Sequence, residues 1–189
     1  FDTFVSLFTD TQIVWQVQMA HKGGERFPDD LLMSREQYAW FVDKVTNALD
    51  GLAGRLKLMV MDDFGYFPTA PKLKFLCQRW GGCPAGRHVI GIRANGDVLP
   101  CLSLGGKFVE DNLRRRSLGE IWNDPNSFAK FRHKEAQLTG ACAKCPLGIL
   151  CKAGCSAMAF SQTGTLTETP FCIRQLEAEH DNRENQETL

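Results

Sequence analysis

Alternating hydrophobic and polar positions mark two strand-like segments in the first third of the chain. Residues 13–20 alternate and are rich in residue types that favour strands. One predicted face holds Trp15, Val17 and Met19, and the other holds Gln16, Gln18 and Ala20. Residues 56–61 form a second apolar run. Both segments are therefore predicted to be β-strands.

A helical pattern lies between the two predicted strands. Ser34 and Gln37 are spaced as a capping box, in which a hydroxyl at the helix start pairs with an amide on the first turn. Apolar side chains then recur at helical spacing, namely Tyr38, Phe41, Val42, Val45 and Leu49. Gly51 is predicted to end the helix. Strand, helix and strand in succession predict a parallel βαβ unit.

Two parallel strands cannot bury both of their faces, so residues 1–75 are predicted to be the end of a larger α/β domain. Its polar residues are candidates for binding. Asp62, Asp63 and Tyr66 follow the second strand, at the end where barrel active sites cluster, and could contact substrate. A solvated loop is the alternative. Gln16 and Gln18 could hydrogen-bond a cofactor, or could lie on an exposed polar face.

The chain changes character after residue 75, where a β-hairpin is predicted. Residues 89–93 and 98–102 are strand-like runs. Asn95 and Gly96 between them predict a two-residue type I′ turn, which needs positive φ at both positions.

Short helices are predicted after the hairpin. Ser117 and Glu120 form a second capping box, and Pro125 is predicted to start a further helix. Residues 142–155 are punctuated by glycine and proline and are predicted to be loop. The polar residues 177–189 are predicted to be a fraying tail.

Charge and composition remove several function classes. The chain has 22 basic and 22 acidic side chains, so its zero net charge gives no electrostatic footprint for nucleic acid. No apolar run reaches the roughly 18 residues of a membrane span. The start of the chain has no signal-peptide pattern, and a cytoplasmic location is expected. Because Phe1 is not a start methionine, the chain is predicted to be a fragment, a processed product or part of a longer protein.

All eight cysteines fall in the second part of the chain, and eight thiols make two sets of four. They are Cys77, Cys83, Cys101, Cys142, Cys145, Cys151, Cys155 and Cys172. Disulfides are one interpretation, but they belong to secreted domains. Structural zinc is another, but it usually takes paired C-x2-C knuckles, and only Cys142 and Cys145 form one here. Iron–sulfur clusters take cysteine sets in a reducing cytosol and are favoured.

The ordered spacings resemble the SPASM domain. Cys83 is followed by twelve residues, Gly96, four residues and Cys101. Cys142-x2-Cys145-x5-Cys151-x3-Cys155 and then Cys172 complete the family's seven-cysteine pattern. Cys77 matches the upstream cysteine that gives members a full eight. The resemblance covers residues 77–172, and residues 76–176 are predicted to be a loop-rich α+β SPASM domain.

The resemblance implies two auxiliary [4Fe–4S] clusters in a crossed arrangement. Cluster I would be held by Cys77, Cys83, Cys101 and Cys155. Cluster II would be held by Cys142, Cys145, Cys151 and Cys172. Sequential use, with Cys142, Cys145, Cys151 and Cys155 on one cluster, is the alternative. The sequence leaves both open.

SPASM domains are C-terminal extensions of radical S-adenosylmethionine (radical SAM) enzymes, many of which modify peptides or proteins. The resemblance implies that residues 1–75 are the end of a partial parallel β/α barrel. The C-x3-C-x2-C motif that would bind S-adenosylmethionine through a third [4Fe–4S] cluster is absent from this sequence. Gly23-Gly24-Glu25 is similar to the family's GGE motif, but a loop at a strand end is favoured.

The expected function is that of an oxidoreductase portion that relays electrons, or engages substrate, during radical modification of a peptide or protein. Its partners would be that substrate and a reducing electron donor, with no nucleic acid and no membrane. Leu102 stands where sulfatase-maturating members carry an acid, which disfavours that role. The alternative is a stand-alone iron–sulfur module that transfers electrons or binds a peptide without a radical SAM cluster.

Overall fold

The computed structural model describes residues 1–22, 27–60, 65–69 and 80–179. The chain divides into two compact units. The first unit comprises the described residues of Phe1–Ala20, Met33–Trp80 and Pro170–Leu189, and the second those of His21–Leu32 and Gly81–Thr169. None of the described helices combines the length and apolar character needed to cross a membrane.

The first unit contains the predicted βαβ arrangement. Its elements are α1 (Asp2–Phe8), β1 (Val14–Val17), α2 (Arg35–Gly51), β2 (Lys57–Val60) and a helical segment at 173–179. β1 and β2 pair in parallel, from Val14 opposite Lys57 to Val17 opposite Val60. The parallel pairing is therefore confirmed, although both strands are shorter than the sequence pattern suggested.

The capping box at the start of α2 is confirmed. The Ser34 hydroxyl accepts a hydrogen bond from the Gln37 backbone N–H at 3.2 Å, and Gln37 Oε1 accepts one from the Ser34 N–H at 2.8 Å. The predicted apolar face is buried at Tyr38, Val42 and Val45. The Tyr38 ring also packs edge-on against Phe171, with the ring centroids 5.1 Å apart.

The second unit is built from short elements. They are β3 (Gly91–Ile92), β4 (Asp97–Leu99), β5 (Asp111–Asn112), α3 (Leu118–Asn123), α4 (Ala129–Arg132), α5 (Gly140–Lys144), α6 (Gly148–Cys151) and α7 (Ser156–Thr163). β3 and β4 form the predicted hairpin, and β5 adds a third antiparallel strand to β4. β5 was not predicted from the sequence, because its two polar residues form no alternating pattern.

The predicted type I′ turn of the hairpin was wrong. Gly96 has a φ of 89°, but Asn95 is not among the residues with positive φ. The Gly96 N–H donates to the Arg93 carbonyl at 2.9 Å, and the Arg93 N–H donates to the Asp97 carbonyl at 2.9 Å. These bonds close a three-residue loop that ends in a glycine bulge. The left-handed residue that the turn needs is thus supplied by glycine alone.

Two predictions about the helices also need correction. Pro125 lies in a turn, and α4 begins only at Ala129, after Phe128 adopts a left-handed φ of 58°. The cysteine-rich segment is not simple loop, because α5 and α6 lie within it. Helices of four or five residues are too short to show a hydrophobic period. The capping box of α3, with Ser117 and Glu120, is confirmed.

The hydrophobic core of the second unit joins the hairpin to the helices and is closely approached by Gly86. Val98, Ile121 and Phe128 are almost completely buried and form one cluster. Gly86 has a φ of 66°, and a Cβ added there would lie 2.6 Å from Cβ of Phe128. The Gly86 N–H donates to the Val89 and Pro100 carbonyls. This glycine therefore lets the chain after Cys83 turn directly against the core.

Gly86→Ala is expected to destabilise the protein strongly. The left-handed backbone costs about 1–2 kcal/mol for alanine and overpacking about 1–3 kcal/mol, so a loss of about 2–5 kcal/mol is expected. Urea unfolding checks this. The control is Gly119→Ala in α3, where an added Cβ meets nothing within 4 Å. Equal stability of the two variants would contradict the close contact between Gly86 and Phe128.

Candidate metal centre

Six of the eight cysteines lie in the second unit. They are Cys83, Cys101, Cys142, Cys145, Cys151 and Cys155. Cys83 and Cys142 are buried, and the other four are partly buried. Cys172 lies in the first unit, just before the helical segment at 173–179, and Cys77 lies outside the described residues.

The fold brings Cys83 and Cys155 together although they are far apart in the sequence. Their thiols form a hydrogen bond, which is the largest cause of the pKa change at each. It lowers the pKa of Cys83 to about 5, against the opposing effect of burial. It raises the pKa of Cys155, as burial does. The contact therefore favours the thiolate, which is the ligand form of cysteine, at Cys83.

Backbone N–H groups at the start of α7 point at this sulfur pair. The Ser156 N–H donates to Cys83 Sγ at 3.4 Å. The backbone groups of Ala157 and Met158 bond Cys155 and oppose the rise in its pKa. Helix N-termini favour negative charge, and N–H donors to sulfur tune the potential of a bound cluster. The first turn of α7 thus stabilises anionic sulfur at this position.

Three residues in the left-handed conformation directly precede Cys155, which is the N-cap residue of α7. Lys152, Ala153 and Gly154 have φ values of 55°, 53° and 62°. Two of them are not glycine, and their left-handed conformation costs about 1–3 kcal/mol each, which the surrounding structure offsets. The turn is held by the Lys152 N–H on the Gly148 carbonyl and by the Gly154 N–H on the Cys151 carbonyl.

A buried lysine that was not predicted from the sequence lies beside these sulfurs. Lys134 is 1% exposed, and its Nζ donates to the Gly154 carbonyl at 3.1 Å and to the Ser156 hydroxyl at 3.2 Å. Burial is the main influence on its pKa and lowers it. Thiolate charge on the surrounding cysteines would act in the opposite direction, in the order Cys83, Cys155, Cys151 and Cys142. No periodicity or motif in the sequence distinguished Lys134 from a surface lysine.

Cys142, Cys145 and Cys151 are grouped by α5 and α6. Cys142 lies within α5, Cys145 is the residue that follows its last turn, and Cys151 ends α6. A Cβ added at Gly148 would lie 2.6 Å from the Cys142 carbonyl oxygen, so the two helices meet closely. Burial is the first cause that raises the pKa of Cys142, and a backbone hydrogen bond at Thr169 opposes it.

Cys101 follows the hairpin directly. It comes two residues after the end of β4, and its carbonyl accepts the Leu104 N–H at 3.2 Å. Leu102 lies over β3, since a Cβ added at Gly91 would lie 2.7 Å from its Cγ. The hairpin thus fixes the backbone on both sides of this cysteine.

The donor chemistry fits a thiolate-bound metal group. Across the described part of the chain, no three His, Cys, Asp or Glu side chains converge closely enough to hold a single ion. Three of the cysteines, Cys83, Cys142 and Cys155, nevertheless receive backbone hydrogen bonds, and a buried ammonium lies beside the group, which suits anionic clusters with soft ligands. Iron–sulfur clusters are such groups.

The other predicted site residues lie in the first unit or outside the described residues. Gln16 lies in β1 and Gln18 just after it; both are exposed and alternate with buried Val17 and Met19, so the predicted alternation is seen although the strand ends at Val17. Their cofactor role stays a prediction. Tyr66 is 2% exposed, and its ring packs against that of Trp80 at a tilt of 43°, with the centroids 4.6 Å apart.

Asp62 and Asp63 lie outside the described residues, as do Gly23, Gly24 and Glu25. A substrate role for Asp62, Asp63 and Tyr66 therefore also stays a prediction.

Comparison with known proteins confirms the predicted resemblance. Residues 83–146 match the SPASM family, described as an iron–sulfur cluster-binding domain. The chain is 35% identical over 173 residues to the PqqA peptide cyclase of Xanthomonas axonopodis pv. citri (strain 306), which covers 85% of this chain and 43% of that protein. It is 37% identical over 93 residues to the AdoMet-dependent heme synthase of Methanosarcina barkeri (strain Fusaro / DSM 804), covering 49% of this chain and 26% of that one.

A solved structure shares the fold. The chain aligns with a histidine-tagged form of anSMEcpe with bound AdoMet at a TM-score of 0.50 and 17% identity, covering 82% of this chain and 40% of the other. The mixed α/β class is therefore shown. The chain spans less than half the length of these relatives.

Gly154→Ala is expected to reduce the iron that the reconstituted protein retains. Alanine at a φ of 62° costs about 1–2 kcal/mol, and the strain falls on the turn that delivers Cys155. The matched control is Gly164→Ala, which has a φ of 72° in open space after α7. Iron and sulfide analysis after gel filtration checks this. Equal losses in both variants would contradict a special role for the turn.

Proposed function

The chain carries a SPASM iron–sulfur cluster-binding domain, and from this premise we propose that it is the C-terminal part of a radical SAM enzyme that modifies a peptide or protein. Similarity to a PqqA peptide cyclase over most of the chain supports a peptide substrate. The observation that carries the proposal is the contact between Cys83 and Cys155, because it gathers distant thiols around buried N–H donors.

The eight cysteines would hold two auxiliary [4Fe–4S] clusters. Cys77, Cys83, Cys101 and Cys155 would hold cluster I, and the Cys83–Cys155 contact supports this set. Cys142, Cys145, Cys151 and Cys172 would hold cluster II, and the grouping of three of them on α5 and α6 supports it. When bound, the clusters would accept and pass on single electrons.

Residues of the second unit would stabilise the ligand thiolates and set the reduction potential of the clusters. The first turn of α7 holds anionic sulfur in place through N–H groups, so ligand thiolates need not be solvated by water. Burial of Cys83 and Cys142 keeps water from the sulfurs. Exclusion of water and the number of N–H donors are two of the ways in which a protein sets cluster potential.

The remaining parts of the proposal concern the larger protein. Residues 1–75 would be the last strands of a partial β/α barrel, and their parallel β1–β2 pair supports this. S-adenosylmethionine and a third [4Fe–4S] cluster would bind to a segment outside this chain. A reducing electron donor and a cytoplasmic location would follow from that chemistry.

Metal analysis of anaerobically purified protein tests the cluster proposal. Two [4Fe–4S] clusters predict about eight irons and eight sulfides per chain. A content of two zincs without sulfide would overturn the proposal.

Paired cysteine variants test the assignment of ligands. Cys155→Ser is expected to leave about four irons per chain, because one cluster loses a ligand. Adding Cys83→Ser should remove no further iron, since both residues belong to cluster I. Adding Cys142→Ser should remove nearly all of it. The reverse pattern would establish sequential use of Cys142, Cys145, Cys151 and Cys155.

The coding sequence upstream of Phe1 separates an enzyme from a stand-alone module. A segment with C-x3-C-x2-C, followed by reductive cleavage of S-adenosylmethionine by the longer protein, is the expected result. A native start at Phe1 would leave the electron-transfer module as the function.

A further inference from the structure

Lys134 is a buried cation with no carboxylate beside it among the described residues. Lys134 lies in the segment between α4 and α5. Its Nζ donates hydrogen bonds to the Gly154 carbonyl and to the Ser156 hydroxyl at the start of α7. Both acceptors are neutral. Across the described residues, no carboxylate oxygen lies within ion-pair distance of its Nζ. Burying an ammonium without a counter-charge is costly. A negatively charged group bound beside Lys134 would therefore stabilise it.

Lys152, in the same unit, is a buried lysine whose charge is balanced by a carboxylate. Lys152 is also buried, and its Nζ lies 2.9 Å from Glu135 Oε2. Both lysines are buried, but their neighbours differ. Lys152 pairs with the Glu135 carboxylate, whereas the charged neighbours of Lys134 are cysteine sulfurs.

The groups around Lys134 are the cysteines of the proposed clusters. Ser156 links them directly, because its hydroxyl accepts from Lys134 while its N–H donates to Cys83 Sγ. Gly154, the other acceptor, immediately precedes Cys155. A [4Fe–4S] core held by four thiolates carries a net negative charge, and net charge is one determinant of its potential.

We propose that Lys134 is the counter-charge of the iron–sulfur cluster held by Cys83 and Cys155, and that its ammonium raises the reduction potential of that cluster. The inference rests on the proposed function. On reduction, the cluster gains one electron and a low-potential donor loses one, and no covalent bond to Lys134 forms or breaks. Its positive charge stabilises the more negative, reduced state, as Coulomb's law requires in a site of low dielectric constant.

Neutral replacements of Lys134 separate charge from packing. Lys134→Gln keeps N–H donors for the two acceptors but removes the charge, and Lys134→Met removes both. The matched control is Lys130→Met, which removes a lysine charge from an exposed position in α4. The measurement is a redox titration of the reconstituted protein, followed by electron paramagnetic resonance of the reduced clusters.

Both neutral variants are expected to lower the equilibrium constant for reduction of one cluster at least tenfold. This corresponds to a shift of about 59 mV toward negative potential for one electron. The second cluster and the Lys130→Met control should change less than threefold. Unchanged potentials in neutral variants with a full iron content would overturn the proposal while leaving the cluster assignment intact.

Iron content decides the case in which the neutral variants do not load. If Gln and Met variants bind no iron at this site while Lys134→Arg binds the full amount, the cluster requires the charge and the proposal stands. If Lys134→Arg also fails, Lys134 acts through packing and the proposal is wrong. A wild-type protein without iron and sulfide would instead remove the proposed function itself.

Discussion

The contact between the sulfur atoms of Cys83 and Cys155 constrains the path of the chain through the second unit. Cys83 comes before the hairpin and Cys155 comes after α6, so their contact requires the chain to return across the whole unit. Gly86 turns the chain into the core where a side chain has no room, and the left-handed residues 152–154 return it at the far end. Glycine adopts the left-handed conformation at Gly86 without strain, whereas the left-handed Lys152 and Ala153 are unfavourable and are held by the structure around them.

The electrostatics of the unit follow from the same contact. A thiolate at Cys83 would be costly to bury in an apolar core, and the structure surrounds it with the Ser156 N–H, the Cys155 thiol and the nearby Lys134. These groups make a pocket in which negative charge on sulfur is favourable. Such a pocket suits a thiolate-ligated cluster better than a disulfide, which carries no charge to stabilise.

Local rules predicted the parts whose signal is local. The capping boxes at Ser34 and Ser117, the alternating strand around Val17 and the parallel βαβ unit were all visible in the pattern of side chains. The failures have a common cause. The turn at Gly96 and the late start of α4 depend on backbone angles that packing decides. Lys134 became significant only when folding placed it beside sulfurs distant in sequence, and no periodicity records that placement.

The three-residue left-handed turn also limits how far apart two redox groups can lie. Four Cα–Cα steps separate Cys151 from Cys155, so even a fully extended chain could hold them no more than about 14 Å apart, and a tight turn holds them closer. In the proposed assignment these two cysteines belong to different clusters. The short segment 152–154 would then keep the two clusters close together. The distance that an electron travels between them would depend on the conformation of these three residues.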